Sequence, residues 1–453
     1  MEQLSAPLTG LKEKIAYACG DTASVLYYRS FAMFLMIFYT DVFGISAQQV
    51  GLMFLVTRIW DAINDPLMGI VVDRTQTRDG KFRPWLKWMA IPLGLVSIAL
   101  FTVPDLGPQG KLVYAWVTYV LAGMLYTAIN IPYGALMGVM TPHSDERTVL
   151  SSFRYYGALA GDLVVKGLTI WLVTRLGAGD EAAGYQRTLI VFAVLASLLF
   201  FFTFSGTRER VQPQPEDHGS SWWQDLGYLL RNRPWVVLSV MGILMLIWVS
   251  VRGGATLYYF KYYIGNYEKW TAWFLVVGVV ANCAGVSLLK FFTGLFRGKR
   301  NTFAMLTLLA SLAQLMYLVI TPDQIALLFG TEIVMSLFTG PLFALFWSMV
   351  ADTADYGEWK YGRRTTGLAF SAGTFSQKAG WAIGGSIASF LLGFYGYQAN
   401  VEQSAEAIGG IRSLMGLVPA LIGLATVGVT LLYNIDRQLE LQMERELRAR
   451  HAV

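Results

Sequence analysis

The stretch AQQVGLMFLVTRIWDAINDPLMGIVV, residues 47–72, is a long apolar run with a charged cluster near its middle. The hydrocarbon core of a bilayer is about 30 Å thick and takes roughly 20 apolar residues of helix per crossing. This run is therefore long enough to span a membrane. Eleven other stretches share this apolar character, and the full set of twelve lies at about 15–40, 47–72, 84–104, 112–140, 149–174, 188–206, 235–264, 271–296, 301–321, 324–351, 366–395 and 408–434.

The composition of the whole chain supports a membrane protein. Of 453 residues, 55% are hydrophobic and only 14% are charged, whereas a soluble chain carries roughly 25% charged residues. Twelve crossings use about 240–300 residues and leave short loops. The sequence therefore predicts an all-α membrane protein with twelve transmembrane helices.

The reactive residues argue against several other classes of protein. Cys19 and Cys283 lie inside apolar runs, so they indicate neither a disulfide framework nor a metal-ligand spacing. The three histidines lie in polar stretches or near the carboxyl end. The run GLFRGKR at 294–300 has the wrong spacing for a phosphate-binding loop. Zinc chemistry, a histidine base and an ATP-driven pump are all disfavoured.

The longest polar interruption divides the chain near its middle. Residues 206–234 contain QPQPEDHG, a composition typical of a linker. We expect an N-terminal six-helix bundle at 1–206, a cytoplasmic linker at 207–234, and a C-terminal six-helix bundle with a cytoplasmic tail at 235–453.

Both halves carry a basic loop between their second and third spans, GIVVDRTQTRDGKFRP at 69–84 and GLFRGKR at 294–300. Lys81 and Lys299 in these loops are 218 residues apart, which is close to half the chain. The repeated arrangement favours internal duplication.

The charge of the loops predicts the orientation in the membrane. Cytoplasmic loops of membrane proteins carry an excess of lysine and arginine, and with the amino terminus inside, that face holds 21 of them against four on the other. We expect both termini in the cytoplasm. The net charge of +5 reports this topology and requires no nucleic-acid partner. The tail after Asp436 is typical of a solvated surface helix.

The second span contains the strongest polar cluster, RIWDAINDP at 58–66. Arg58, Asp61, Asn64 and Asp65 share one helix face, because residues three and four apart are neighbours. Hard oxygen ligands within one turn suit a small cation such as sodium, and a carboxylate with a raised pKa beside a like charge can instead carry a proton. The alternative is an ion pair between Arg58 and one aspartate that only joins helices.

The fourth span carries YTAINIPYG at 126–134. Proline removes a backbone donor and loosens the preceding turn, which frees carbonyls near Thr127 and Asn130. Carbonyl groups freed in this way are suitable neighbours for a bound ion. A proline kink with hydroxyl groups bonded back to their own helix is the alternative.

Polar stripes on other spans predict a substrate site. Asp21, Val25, Tyr28 and Arg29 share a face of the first span, and Arg154, Asp162 and Lys166 share a face of the fifth. Positive charge at Arg29, Lys166 and Arg252 would favour an acidic sugar, and the alternative for Arg252 is a place in the lining between the two halves. For Asp162 and Lys166, a plain intrahelical ion pair is the alternative. The predicted substrate-binding residues are Asp21, Tyr28, Arg29, Tyr126, Asn130, Arg154, Thr374 and Lys378.

The tenth span ends in ADTADYGEW at 351–359. The predicted gating residues are Asp352, Asp355 and Glu358 on this segment, together with Arg58. Acidic groups that face basic loops of the other half would form an inside gate that breaks for release. Solvated loop charge is the alternative.

Five motifs occur along the chain in the following order: YTDVFG (39–44), RIWDAINDP (58–66), DRTQTRDGKFRPW (73–85), YTAINIPYGAL (126–136) and ADTADYGEW (351–359). This set resembles the glycoside–pentoside–hexuronide cation symporters, the branch of the major facilitator superfamily that includes the melibiose carrier. The resemblance runs from about Lys12 to Tyr433.

The resemblance implies a major facilitator fold, with twelve helices in two six-helix bundles, and a site for each ligand. The family's cation ligands match Asp61, Asn64, Asp65 and Thr127, and its fifth-span arginine and eleventh-span lysine match Arg154 and Lys378.

Three positions depart from the melibiose carriers. Val25 replaces a first-span aspartate, and Asn130 and Gly134 replace a fourth-span aspartate and tryptophan. Asp21 lies one turn before Val25 and is a candidate to act instead. A pentoside or glucuronide is therefore closer to this pattern than a galactoside.

The implied function is symport of a glycoside, which is a pentoside, hexoside or hexuronide, with Na+ or H+ by alternating access. The implied partners are a small sugar, a monovalent cation and the lipid bilayer; no cofactor besides the coupling ion, no enzymatic activity and a monomer are expected. Two other classes share parts of the pattern. A lipid-linked sugar enzyme would show product formation in proteoliposomes, and a non-transporting membrane sugar sensor would show no counterflow.

Overall fold

A computed structural model describes residues 9–141, 144–210, 227, 230–362 and 366–451. The chain divides into two compact units, Met1–Glu216 and Asp217–Val453. The dividing point lies within the expected linker at 207–234.

The described residues of the first unit form six long helices. They are α1 (Leu11–Ile37), α2 (Ala47–Asp73), α3 (Arg83–Leu100), α4 (Pro108–Met140), α5 (Ser144–Gly177) and α6 (Glu181–Gly206).

The second unit contains more helical segments because two of its predicted spans are broken. They are α7 (Arg233–Tyr258), α8 (Tyr267–Ser287), α9 (Leu289–Leu295), α10 (Lys299–Leu315), α11 (Ile325–Tyr361), α12 (Thr366–Phe394), α13 (Ala405–Met415), α14 (Leu417–Thr430) and α15 (Arg437–His451).

Every apolar stretch predicted from the sequence lies mainly on helical residues, which confirms the all-α class. Within the described ranges, eight helices are long and apolar enough to cross a membrane. The count of twelve spans therefore stays a prediction. Helices α1 and α2 carry charged residues, among them Asp21, Arg29, Asp61 and Asp65, inside their apolar stretches.

Helix α1 packs along α5 and α6, and α2 packs against α4. Glycines on α5 allow the first contact. A Cβ at Gly161 would lie 2.9 Å from the carbonyl oxygen of Thr22, and one at Gly157 would overlap the carbonyl oxygen of Ala18. Small residues let two helix backbones approach closely in a membrane, so the charged faces of α1 and α5 are brought together.

The second unit uses the same device at two interfaces. On α12, within the small-residue stretch SAGTFSQKAGWAIGG, a Cβ at Gly380 would lie 2.5 Å from the carbonyl oxygen of Ile243 on α7. At the contact of α8 with α11, Gly285 faces the backbone of Leu337. Small residues thus let α12 approach α7 closely, and α8 approach α11.

The first long helix that the structure describes in each unit ends in the same way. A six-residue π turn follows α1 at Phe38–Phe43 and α7 at Tyr259–Ile264. Each turn stops at a glycine with positive φ, 87° at Gly44 and 73° at Gly265, a conformation that glycine adopts without steric cost. This repetition supports the internal duplication inferred from the basic loops.

The tail after Asp436 forms α15, as expected, but one face of this helix is not solvated. Met443 and Leu447 are buried, and Glu446 accepts a hydrogen bond of 2.6 Å from the indole nitrogen of Trp359. The expectation of a fully solvated helix was wrong because these apolar side chains pack on the end of α11.

Candidate functional site

The two carboxylates of the second span face α4. The hydroxyl of Thr127 donates a hydrogen bond of 2.9 Å to Oδ1 of Asp65. One turn earlier on both helices, a Cβ at Gly123 would lie 3.4 Å from Oδ1 of Asp61. The pairs 61/65 and 123/127 thus run side by side, and the structure brings together three of the four predicted cation ligands.

The fourth predicted ligand, Asn64, is buried on the same helix. Its Nδ2 has no hydrogen-bond partner among the residues that the structure describes. Buried polar groups almost always have a partner, and the amide can be turned to present either its oxygen or its nitrogen. An incompletely bonded amide next to two carboxylates fits a site that receives a ligand. The side chain of Arg58 lies outside the described part of the structure, so its ion pair stays untested.

The polar groups of α4 separate into two roles. Thr127 bonds to another helix, whereas Asn130 donates a hydrogen bond of 3.1 Å back to the carbonyl oxygen of Tyr126. The ring of Tyr126 stacks on Tyr28 of α1 with centroids 6.0 Å apart. The aromatic pair therefore joins α1 to the helix that carries Thr127.

Asp21 and Arg154 form a bidentate ion pair between α1 and α5. Nε of Arg154 lies 2.6 Å from Oδ2, and NH2 lies 3.2 Å from Oδ1. Paired parallel hydrogen bonds of this kind fix the guanidinium plane. The rings of Tyr17 and Tyr133 lie 5.8 and 5.0 Å from the guanidinium carbon, which adds cation–π attraction.

A second ion pair lies two turns further along the same two helices. Nε of Arg29 lies 2.9 Å from Oδ1 of Asp162, and Nζ of Lys166 lies 2.9 Å from its Oδ2. The intrahelical pair considered from the sequence is present, and Arg29 joins it. Sequence reasoning left Asp162 out of the site, although its spacing from Arg154 equals that of Arg29 from Asp21.

The structure places the three acidic gating residues predicted from the sequence on α11, whereas Arg58 belongs to α2. Nζ of Lys299 lies 2.7 Å from both carboxylate oxygens of Asp352 and 3.2 Å from Oε1 of Glu440. Asp355 and Glu358 are half-buried on the same helix. Asp352 thus pairs within its own unit, and the gate stays a prediction.

Of the two predicted ligands on α12, Lys378 is exposed in its unit, and the side chain of Thr374 lies outside the described part.

A buried charged cluster in the second unit was missed. Glu332 accepts hydrogen bonds from Tyr317 at 2.6 Å, from Ser336 at 2.9 Å, and from the guanidinium of Arg252. Arg252, considered from the sequence as a charge for an acidic sugar, instead faces the interior of its own unit. The signal available was a lone glutamate within the apolar stretch 324–351.

Several of these apolar helices carry ion pairs and carboxylates inside their spans. Ionisable groups within a membrane cost free energy and mark the pathways of ligands, so this arrangement defines a multi-span membrane transporter. Residues 16–437 match the family model described as MFS/sugar transport protein, and the chain belongs to this family. The resemblance to the glycoside–pentoside–hexuronide symporters is confirmed.

Known proteins similar to this chain agree with that assignment. The inner membrane symporter YicJ of Escherichia coli (strain K12) is 36% identical over 92% of this chain and 90% of its own. The isoprimeverose transporter of Lactiplantibacillus pentosus is 36% identical over 97% and 92%. The crystal structure of a mutant of the nucleoside transporter NupG has a TM-score of 0.65 at 13% identity, covering 93% of this chain and all of that one.

These findings confirm the major facilitator fold and the class of sugar–cation symport. The chain is a transport protein and not an enzyme, and a non-transporting sensor is not favoured.

Proposed function

We propose that this chain carries a glycoside into the cell together with Na+ or H+, and that Asp61, Asn64, Asp65 and Thr127 hold the cation. The observation that carries the proposal is the hydrogen bond from Thr127 to Asp65, because it places a neutral oxygen of α4 beside the carboxylates of α2. Carboxylate, amide and hydroxyl oxygens are suitable ligands for a hard cation.

Coupling follows from the charge of this site. Asp61 and Asp65 are one turn apart inside a membrane span, where uncompensated charge is costly. A bound cation offsets that cost and stabilises conformations in which the carboxylates are closed off from water. Sugar that favours the same conformations then raises cation affinity, and the cation raises sugar affinity by the same factor.

The sugar is expected to contact the polar faces of α1, α4 and α5. Tyr28 and Tyr126 offer ring faces, and the ion pairs of Asp21 with Arg154 and of Asp162 with Arg29 offer oriented donors and acceptors. Sugar hydroxyls require such groups in a site that is otherwise apolar. The chain's likeness to the isoprimeverose transporter supports a pentoside among the substrates.

The proposed setting is a bacterial inner membrane, with a monomer whose two termini are cytoplasmic. Its support is the excess of basic residues in one set of loops and the likeness to an inner membrane symporter. No cofactor besides the coupling ion is proposed.

The test is a thermal-shift screen of the purified protein with pentosides, galactosides and uronides, each with and without Na+ and at two pH values. Ligands that bind the folded state raise its unfolding temperature by mass action. A sugar-dependent shift that grows with Na+, or with acid if the ion is H+, is expected. Shifts from sugar that are the same under all ion conditions would contradict the proposed coupling.

A further inference from the structure

The segment that leaves α6 is fastened to the loop before α3. The carboxylate of Glu209 accepts hydrogen bonds of 2.8 Å from the backbone N–H groups of Lys81, Phe82 and Arg83. The first N–H groups of a helix have no partner within it, and α3 has no side-chain cap at Phe82. Glu209 therefore caps α3 from a distant part of the chain.

Gly80 leaves room for this carboxylate. Its φ of 113° lies in the region that favours glycine. A Cβ at this position would lie 2.5 Å from Cδ of Glu209. The loop thus fits Glu209 in two independent ways, by its N–H donors and by its missing side chain.

The neighbouring residue extends the attachment to two more helices. The guanidinium of Arg210 donates to both carboxylate oxygens of Glu13 on α1, at 2.8 Å each. Its backbone N–H donates to the carbonyl oxygen of Val139 on α4 at 2.8 Å. Glu209 and Arg210, which follow α6, therefore hold the neighbouring ends of α1, α3 and α4 together.

The second unit repeats this placement with other chemistry. Gly298 and Lys299 follow Gly80 and Lys81 by 218 residues, and Gly298 also has a positive φ, 128°. A Cβ at Gly298 would lie 3.2 Å from Cβ of Arg437, at the start of the tail helix. One turn on, Glu440 pairs with Lys299, which also holds Asp352.

We propose that these exit segments, residues 207–210 and 436–440, are positioning elements that hold the loop before the third span of their own unit and thereby set the rate of transport. Among the residues that the structure describes, no hydrogen bond or ion pair joins these segments to the proposed cation or sugar ligands. Their loss is therefore expected to slow the conformational steps and to leave ligand affinity unchanged. This inference goes beyond the proposed function, because it does not depend on which residues bind the cation.

The two units differ in how much each exit segment contributes. Glu209 satisfies three backbone donors of a helix start, and loss of such a cap commonly destabilises the helix. Glu440 shares a partly exposed lysine with Asp352, and ion pairs of that kind contribute little. The first exit segment should therefore matter more than the second.

The test measures sugar uptake in membrane vesicles, normalised to the amount of protein in the membrane. Glu209→Gln is expected to lower Vmax about tenfold with KM unchanged, and Glu209→Asp, which keeps the charge, to recover part of the rate. Glu440→Gln is expected to lower Vmax only about twofold. Asp79→Asn, an exposed carboxylate next to Gly80, is the matched control and should transport normally.

Three results would overturn the proposal. An unchanged Vmax in Glu209→Gln would show that the cap does not affect the rate. A raised KM at normal Vmax would place the segment in ligand binding instead. A loss of uptake that follows only the amount of protein in the membrane would show that Glu209 serves folding alone.

Discussion

The hydroxyl group of Thr127 is the feature that distinguishes a cation site from a simple pair of charged residues. This hydroxyl turns away from its own helix and bonds to Asp65 at 2.9 Å. A threonine buried in a helix usually satisfies its hydroxyl on a carbonyl of the preceding turn, as Thr57 and Thr118 do here. The departure at Thr127 therefore indicates a specific role for its oxygen beside the carboxylate.

Replacing this hydroxyl should weaken cation binding. Thr127→Val keeps the shape and removes the oxygen, so we expect about a tenfold higher cation concentration for half-maximal stimulation of sugar uptake. Thr127→Ser is the control and should stay near the wild-type value. Equal cation dependence in the valine and serine variants would remove Thr127 from the site.

Glu146, at the start of α5 before the apolar part of that helix, is expected to give the protein a pH dependence of stability. Burial acts to raise the pKa of Glu146, but hydrogen bonds from Thr141 and Thr9 and the charge of Lys14 outweigh it, so the pKa lies below its ordinary value of 4.5. A carboxylate whose pKa is lowered in the folded protein stabilises it at pH values above the ordinary pKa of 4.5. That stabilisation is lost as the pH falls below this value.

Glu146→Gln should therefore unfold at a lower temperature than wild type at pH 7, and the difference should shrink toward pH 4. Thermal unfolding of the detergent-solubilised protein measures both. Asp105→Asn, at an exposed loop carboxylate, is the control and should follow wild type at each pH. A difference that does not change with pH would mean that the ionised carboxylate is not the stabilising group.

At the scale of helices, the contact of α1 with α5 explains why the charged stripes meet. Asp21 and Arg29 are eight residues apart with signs opposite to those of Arg154 and Asp162, which are also eight apart. Two helices in contact with this spacing pair both charges at once. The sequence contained this signal, but a stripe on one helix does not say which other helix it faces.

Close backbone approach at this contact depends on Gly157. A larger side chain there would overlap the carbonyl oxygen of Ala18, so Gly157→Val should destabilise the protein by about 1–3 kcal/mol through overpacking. Gly138→Val, where a Cβ meets nothing within 4 Å, is the control. The comparison uses the midpoint of thermal unfolding, and equal midpoints for the two variants would contradict the packing.

Helix boundaries were predicted less well than helix positions. The apolar stretch 324–351 became α11, which continues to Tyr361, because hydropathy marks the membrane and not the end of hydrogen bonding. The stretch 408–434 divides into α13 and α14 at Gly416. The buried face of the tail helix was also missed, since its apolar residues are few and their partners lie far along the chain.

At the scale of the whole chain, the two units share features that hydropathy does not report. Both first helices end in a π turn and a glycine of positive φ, and both loops before the third span pair a glycine with a lysine. Duplication explains this agreement. The charges have diverged, however, because the first unit has Asp61 and Asp65 on its second span, whereas the second unit buries the pair of Glu332 with Arg252.

Composition and motif order were sufficient to predict the membrane class and the family. Asp61 and Asp65 lie on one helix face because helical spacing determines which residues share a face, whereas their position beside Thr127 depends on a contact between helices. The position of Asp162 and the inward direction of Arg252 depend on contacts between helices, which one sequence does not report.

The most direct test of the central claim is sugar accumulation in proteoliposomes under an imposed Na+ or H+ gradient, compared with sugar counterflow without a gradient. Wild type should accumulate sugar under one of the two gradients, and Asp61→Asn and Asp65→Asn should lose accumulation but keep counterflow. Accumulation at the wild-type level in both variants would contradict a cation site at these carboxylates.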